Sequence, residues 1–178
     1  MGWSLSPNLP ARDPEAVDAA LMAAGRALYL ANGFEMKCRF VLRTANLATY
    51  VESHPEATFA DALATLARQK CLGPTIAELK PLPGVEPDEF PLLDKACEAR
   101  NFIAHEGAAF GYVFSVSAAR IGEHLEKLRS AVVNLARGDS LVSRWVYEIE
   151  EKEPAPLDVE LDYPVVAEAW VFGGPQCP

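Results

Sequence analysis

The sequence predicts an all-α protein, an up-and-down helical bundle of about five helices with a Pro-rich C-terminal extension. Apolar residues recur at spacings of three and four over most of residues 1–152, and prolines and glycines separate the periodic segments. Half of the 178 residues are hydrophobic and 23% are charged, a composition typical of one domain with a sizeable core. We therefore place the bundle at 1–152 and the extension at 153–178.

The first two helices are predicted from their termini and their apolar faces. Pro14 suits the first position of a helix, and the Asn-Gly pair at 32–33 is expected to end it. A second helix is expected over 34–52 and should stop before Pro55, because the residue preceding a proline avoids the α region.

A third helix should open at Thr58, which forms a capping-box pattern with Asp61, and continue to a stop at Gly73. The stretch 73–91 holds five prolines and two glycines, and is expected to be a long surface connection with one helical turn at 76–79.

Two further helices complete the predicted bundle. One spans 88–108, and a long one starts at Ser117, breaks near Gly138 and resumes with apolar residues in register. In the extension, apolar residues alternate with acidic ones over 157–163, as in a half-exposed strand. We expect this segment to form extended chain or short strands packed on the bundle.

Composition also restricts the function. The four cysteines form no closely spaced pair, so the sequence predicts neither a zinc site nor a disulfide framework, and it implies no cofactor. Three of them fall in predicted helices and are interpreted as reduced core residues: Cys38, Cys71 and Cys97. The fourth, Cys177, is near the end of the chain. The chain shows no secretory signal pattern and no apolar run of membrane-spanning length, which favours a cytoplasmic protein without membrane association.

The stretch Arg-Asn-Phe-Ile-Ala-His from Arg100 to His105 is the strongest indication of chemistry. Histidine is the side chain that both accepts and donates protons near neutral pH, and a guanidinium holds a phosphate and the charge that grows on it. At about 100° per residue, Asn101 and His105 share one helix face. Arg100 starts on a different side of the helix, so its long side chain must extend around the helix to approach His105. The polar stripe continues toward the N-terminus of the helix, with spacings of four, three and four along Asp94, Glu98, Asn101 and His105.

Arg100, Asn101 and His105 resemble the motif of the HEPN (higher eukaryotes and prokaryotes nucleotide-binding) domains, an Arg followed four to six residues later by His. The resemblance implies an all-α, HEPN-like bundle that is usually a homodimer. It also implies, for many members, metal-independent RNA cleavage at the dimer cleft, with His105 acting on the attacking 2′-hydroxyl or the leaving oxygen, Arg100 on the scissile phosphate and Asn101 orienting them. Gly107 stands where one subgroup of HEPN toxins has a modifiable Tyr, which argues against control by a partner nucleotidyltransferase.

The net charge of −9 opposes generic nucleic-acid binding, for which a basic face supplies most of the affinity. Arg39 and Arg43 are predicted to supply a local positive field that attracts the substrate despite this net charge. Glu98 is predicted to bind substrate together with them. In the alternative interpretation these arginines form ion pairs on a solvated face, with Glu35 and Glu52.

Three hypotheses remain open from the sequence. The first is the endoribonuclease. The second is a non-catalytic HEPN-like domain that binds a nucleotide or a protein partner. The third is a structural dimer held together by the polar stripe. The chain is expected to form a homodimer and to bind no metal.

Overall fold

The computed structural model describes residues 11–66 and 71–174, and over these ranges the predicted all-α class is confirmed. The described residues contain no strand and six α-helices. The helices are α1 Pro14–Ser53, α2 Phe59–Thr65, α3 Leu72–Leu79, α4 Phe90–Glu106, α5 Ala118–Glu151 and α6 Leu157–Phe172. A 3₁₀ turn, Pro87–Glu89, leads into α4.

The first helix, α1, is one element of 40 residues where the sequence predicted two. Pro14 occupies its first turn as predicted, and the helix ends at Ser53, just before Pro55. The predicted break at 32–33 is wrong, because Ala31 and Phe34 are buried in the same core and hold the helix together across the Asn-Gly pair. Tertiary burial here outweighs the weak helix propensity of glycine.

The region between α1 and α4 contains two short helices. The capping box at the start of α2 is confirmed, since the Thr58 hydroxyl accepts from the Asp61 N–H and the Asp61 carboxylate accepts from the Thr58 N–H. The stop predicted at Gly73 is wrong, because Gly73 and Pro74 lie in the first turn of α3, where a proline costs no hydrogen bond. Residues 67–70, which belong to the predicted third helix, lie outside the described residues.

The two central helices, α4 and α5, pack closely over much of their length. Gly138 lies mid-helix in α5, and a Cβ built on it would come 2.3 Å from the Ala96 Cβ and 3.2 Å from the Leu92 carbonyl oxygen. The predicted break at Gly138 is therefore wrong: this glycine permits close approach of two helices. The helix α5 begins at Ser117 as predicted, and the Ser117 hydroxyl caps it by accepting from the Arg120 N–H.

The C-terminal segment is a helix, α6, and the extended or strand conformation predicted for it is wrong. Ala167 and Val171, four residues apart, are buried against α1 and α5, so a helical period prevails over the short alternation upstream. The segment does pack on the bundle. Lys37 on α1 and Tyr163 on α6 meet at the buried Asp139 of α5: the Lys37 Nζ lies 2.6 Å from one Asp139 oxygen, and the Tyr163 hydroxyl donates to the other.

Candidate functional site

The polar stripe predicted on the motif helix is present on the surface of α4. Asp94, Glu98, Asn101 and His105 are all exposed, whereas the buried positions of the same helix alternate with them on the core side, at Leu93, Ala96, Ala99 and Ile103. Gly107 is the C-cap of α4, so His105 lies in the last turn of the helix. A cation is favoured there by the helix dipole.

Arg100 lies on the side of α4 that faces α1, away from the exposed stripe. Its side chain is one-fifth exposed, and its Nη2 donates to a carboxylate oxygen of Glu35 on α1. Its Nη1 donates to the Asn101 Oδ1 at 3.2 Å, while its Nε is buried without a hydrogen-bond partner. The guanidinium is therefore held in place by a neighbouring helix and touches the amide beside it, as a role for Asn101 in orienting Arg100 requires.

Glu35 is the centre of a charged cluster that joins α1 to α4. It is buried, and each of its carboxylate oxygens accepts from a different guanidinium, one from Arg39 and one from Arg100. Two cations on one carboxylate leave a local charge of +1 in a chain whose net charge is −9. Sequence reasoning considered Glu35 only as a surface ion-pair partner. The i,i+4 spacing of Glu35 and Arg39 indicates their pairing, but nothing local indicates Arg100, 65 residues away.

The three predicted substrate-binding residues do not lie together in one cluster. Arg39 is in the cluster, and its pairing with Glu35 is the alternative that the sequence left open. Arg43 lies one helical turn beyond Arg39, is exposed, and forms no ion pair with Glu52 within the described ranges. Glu98 is exposed on the stripe of α4.

His105 is exposed and makes no hydrogen bond within the part of the chain that the structure describes. The ring is open to solvent and to any ligand that reaches α4. It shares α4 with the other two motif residues, but only Arg100 and Asn101 are in contact with each other.

The other histidine near the motif, His124, lies on α5 beside the turn that follows α4. It is half-buried, its Nε2 lies 2.9 Å from the Gly107 carbonyl oxygen, and its ring packs near Phe102 and Phe110. Because a carbonyl only accepts, Nε2 carries the proton. His124 therefore secures the turn that follows α4.

The cysteines near the cluster are not activated thiols. Cys38 is buried, Cys97 is half-buried, and burial is the main cause that raises the pKa of both above the ordinary range for a thiol. Thiols with a raised pKa are poor nucleophiles. Cys71 is exposed and precedes α3, so its assignment to the core is wrong. Cys177 lies outside the described residues.

Other chemistries find no support in the described part of the chain. No group of three or more His, Cys, Asp or Glu side chains there is arranged to hold a metal ion. None of the helices described is both long enough and apolar enough to span a bilayer. Comparison of the chain with protein-family models, with curated proteins and with solved structures finds no match.

Proposed function

We propose that this protein is a HEPN-like, metal-independent endoribonuclease that acts as a homodimer, with His105 as the acid–base residue, Arg100 on the scissile phosphate and Asn101 orienting Arg100. The observation that supports this proposal most is the arrangement on α4. A guanidinium held by Glu35 and by Asn101 lies five residues before an exposed imidazole on the same helix. A fixed cation and a free proton carrier are what phosphodiester cleavage requires.

The proposed reaction is transfer of the phosphodiester to the neighbouring 2′-hydroxyl. One neutral His105 takes the 2′-hydroxyl proton as that oxygen attacks phosphorus. The protonated His105 of the partner subunit gives a proton to the departing 5′-oxygen. The products are a 2′,3′-cyclic phosphate and a 5′-hydroxyl, so protons balance between the two imidazoles. Arg100 stabilises the charge that grows on the non-bridging oxygens.

A local positive charge near the proposed site offsets the net negative charge of the chain. The Glu35–Arg39–Arg100 cluster has a charge of +1, and the exposed Arg43 adds another one turn along α1. Glu98, on the same stripe as His105, is suited to accept hydrogen bonds from ribose hydroxyls or base amino groups. Because these few cations can neutralise only a few phosphates, we expect weak, salt-sensitive RNA binding.

One observation favours the second hypothesis, a non-catalytic HEPN-like domain that binds a nucleotide or a protein partner. Both oxygens of Glu35 are engaged by arginines, so Arg100 already has an anionic partner before any phosphate arrives. A phosphate that competes with Glu35 gains less than one that meets a free guanidinium.

The test is cleavage of single-stranded RNA by purified protein in the presence of EDTA. We expect cleavage with cyclic-phosphate ends, a loss of at least about 100-fold in His105→Ala, and no loss in the control His54→Ala, whose ring stacks on Tyr50 at the end of α1. Equal activity of His105→Ala and the natural protein would overturn the assignment. No cleavage by either protein, together with nucleotide binding that is lost in Arg100→Ala, would establish the second hypothesis instead.

A further inference from the structure

A cleft between α1, α5 and the loop that follows α3 is separate from the motif on α4. It has a volume of about 400 Å³, within the range of small-molecule sites, and none of the residues that line it belongs to the Arg100–His105 segment. We call it the α5 cleft. Its walls include Val41 and Ala48 of α1, Leu82 and Val85 of the loop, and Trp145 and Lys152 of α5.

The walls of the α5 cleft are apolar and fixed by the fold. Val41 and Trp145 belong to the main core, and Leu82 and Val85 pack against it. Two backbone hydrogen bonds hold the loop: the Leu82 N–H donates to the Leu79 carbonyl, and the Val85 N–H donates to the Leu82 carbonyl. A ligand with an apolar body can therefore enter a cavity that is already formed, without the cost of ordering a loop.

The dimensions of the cleft limit the ligand. At about 30 Å³ for each water molecule, 400 Å³ holds roughly a dozen non-hydrogen atoms. Trp145, Glu148 and Lys152 follow one face of α5 at spacings of three and four, so the cleft runs along the helix for about 10 Å. Its inner end is at Trp145, which is 7% exposed, and its open end is at Lys152, which is exposed. An elongated molecule of roughly a dozen atoms fits this space.

The open end of the cleft has one charge of each sign. Glu148 and Lys152 are both exposed and both line the cleft. Their spacing of four residues suits an ion pair, yet neither forms one within the described part of the chain. A ligand that is only an anion is repelled by the acidic residues around this end, Glu150, Glu151 and Glu153, and one that is only a cation is repelled by Lys152. A ligand with one carboxylate and one ammonium group matches both charges.

Lys152 has a backbone conformation that favours glycine. It is the C-cap of α5 with a φ of 62°, and every other described residue with a positive φ is a glycine. A lysine is less favourable than a glycine there, because its Cβ comes close to the following carbonyl oxygen. The cap itself does not require an ammonium group. The Lys152 side chain is therefore available for a contact with a ligand at the open end of the cleft.

The inner end of the cleft has a hydrogen-bond donor without an acceptor. The Nε1 of Trp145 is buried and has no partner within the described residues. Buried polar groups are nearly always paired, and an indole N–H can only donate. An oxygen at the inner end of a ligand supplies the acceptor. Less than 1 Å² of this nitrogen is accessible, so the indole ring must turn toward the cleft as the ligand binds.

We propose that the α5 cleft binds a free α-amino acid whose aromatic side chain ends in a hydroxyl group, as in tyrosine. The carboxylate pairs with Lys152. The ammonium pairs with Glu148 and with the last carbonyl groups of α5, which have no partner inside a helix. The ring packs on Val41 and Val85, and the hydroxyl oxygen accepts from the Trp145 N–H. The hydroxyl of Thr44, which also lines the cleft, can accept the ligand's own hydroxyl proton.

Titration of the isotope-labelled protein with L-tyrosine, followed by NMR, tests the inference. We expect the indole N–H of Trp145 and the amide of Gly84, in the loop wall, to shift with a dissociation constant of about 1 mM or lower, as suits a ligand of this size. Phenylalanine lacks the hydroxyl, tyramine the carboxylate and hydroxyphenylpropionate the ammonium. Each should bind at least about 10-fold more weakly. No shift at about 2 mM tyrosine, or equal binding of any of the three analogues, would overturn the inference.

Three variants separate binding of a ligand from a structural role. Lys152→Gly should weaken tyrosine binding at least about 10-fold and yet raise the Tm, because glycine suits the positive φ. Glu148→Gln should weaken binding by a similar factor, whereas the control Glu150→Gln, outside the cleft, should change it by less than about 2-fold. Trp145→Phe should remove the preference for tyrosine over phenylalanine. Unchanged affinity in Lys152→Gly would refute the assignment. RNA cleavage does not enter any of these results, so the proposed function and this inference fail independently.

Discussion

Replacing Glu35 by glutamine tests the charged cluster that holds Arg100. The Glu35→Gln side chain is of equal size but keeps one acceptor oxygen, and its amide group would point its hydrogens at one of the two guanidiniums. Glu35 is buried, and the side chains of Arg39 and Arg100 are 28% and 20% exposed. The variant therefore leaves two neighbouring cations with no anion between them.

The expected loss of stability in Glu35→Gln follows from the burial of Glu35 and the partial burial of its two arginine partners. Removing one partner of a fully buried ion pair costs about 3–5 kcal/mol. Solvent reaches both arginines in part, so we expect a loss of about 2–3 kcal/mol in the free energy of unfolding, which lowers the Tm of a chain of this length by roughly 4–12 °C. Differential scanning calorimetry measures it. Glu98→Gln is the matched control, since Glu98 is exposed on α4, and it should stay within about 0.5 kcal/mol.

The same variant separates binding from catalysis. With Glu35 neutral, Arg39 and Arg100 are both available to phosphate, so RNA should bind more tightly, with a log–log salt slope steeper by about 0.7 for each additional phosphate contact. Arg100 has also lost its anchor, so the cleavage rate at saturating RNA should fall. An unchanged Tm would refute the reasoning, because it would mean that Glu35 does not hold the arginines.

Three further results are expected. Gly138→Ala should destabilise the chain by about 1–3 kcal/mol, because its Cβ overlaps Ala96, whereas Gly25→Ala should stabilise the monomer by about 0.5–1 kcal/mol; urea unfolding compares the two. Hydrogen bonds from Thr58 lower the pKa of Asp61, so the capping box contributes to α2 above the unfolded-state pKa and is lost as pH falls through the lower folded value. The hydrogen-exchange protection factors of α2 amides, which correct for the pH dependence of intrinsic exchange, should therefore fall in acid, but not further in Asp61→Asn. Burial raises the pKa of Tyr163, so its neutral form stabilises the fold below about pH 10 and that stability is lost as pH rises through the folded value, a loss that Tyr163→Phe should remove.

The sequence predicted the exposed stripe of α4 because helical periodicity is a local property. Glu98, Asn101 and His105 fall on one face of any regular helix that contains them, whatever packs behind it. The partner of Arg100 could not be predicted in this way, since Glu35 is 65 residues distant and reaches it only through the packing of α1 on α4. The geometry of the motif was therefore predictable from the sequence, and its electrostatics were not.

The errors in the fold share one cause, which is that local preference was given more weight than burial. In α6, four alternating positions predicted a strand, but Ala167 and Val171 bury a helical face. In α5, Gly138 was interpreted as a break and is a contact. Periodicity over four residues is a weak constraint beside the burial of a continuous face against α1 and α5.

Glycines inside long helices carry information that a sequence alone does not separate. Each costs the helix about 1 kcal/mol, a cost that a close approach of another group can offset. At Gly138 the approaching group is Ala96 of the same chain. At Gly25 and Gly33 the same test finds open space. The opposite signs predicted for Gly138→Ala and Gly25→Ala in urea unfolding distinguish the two kinds of glycine in one experiment.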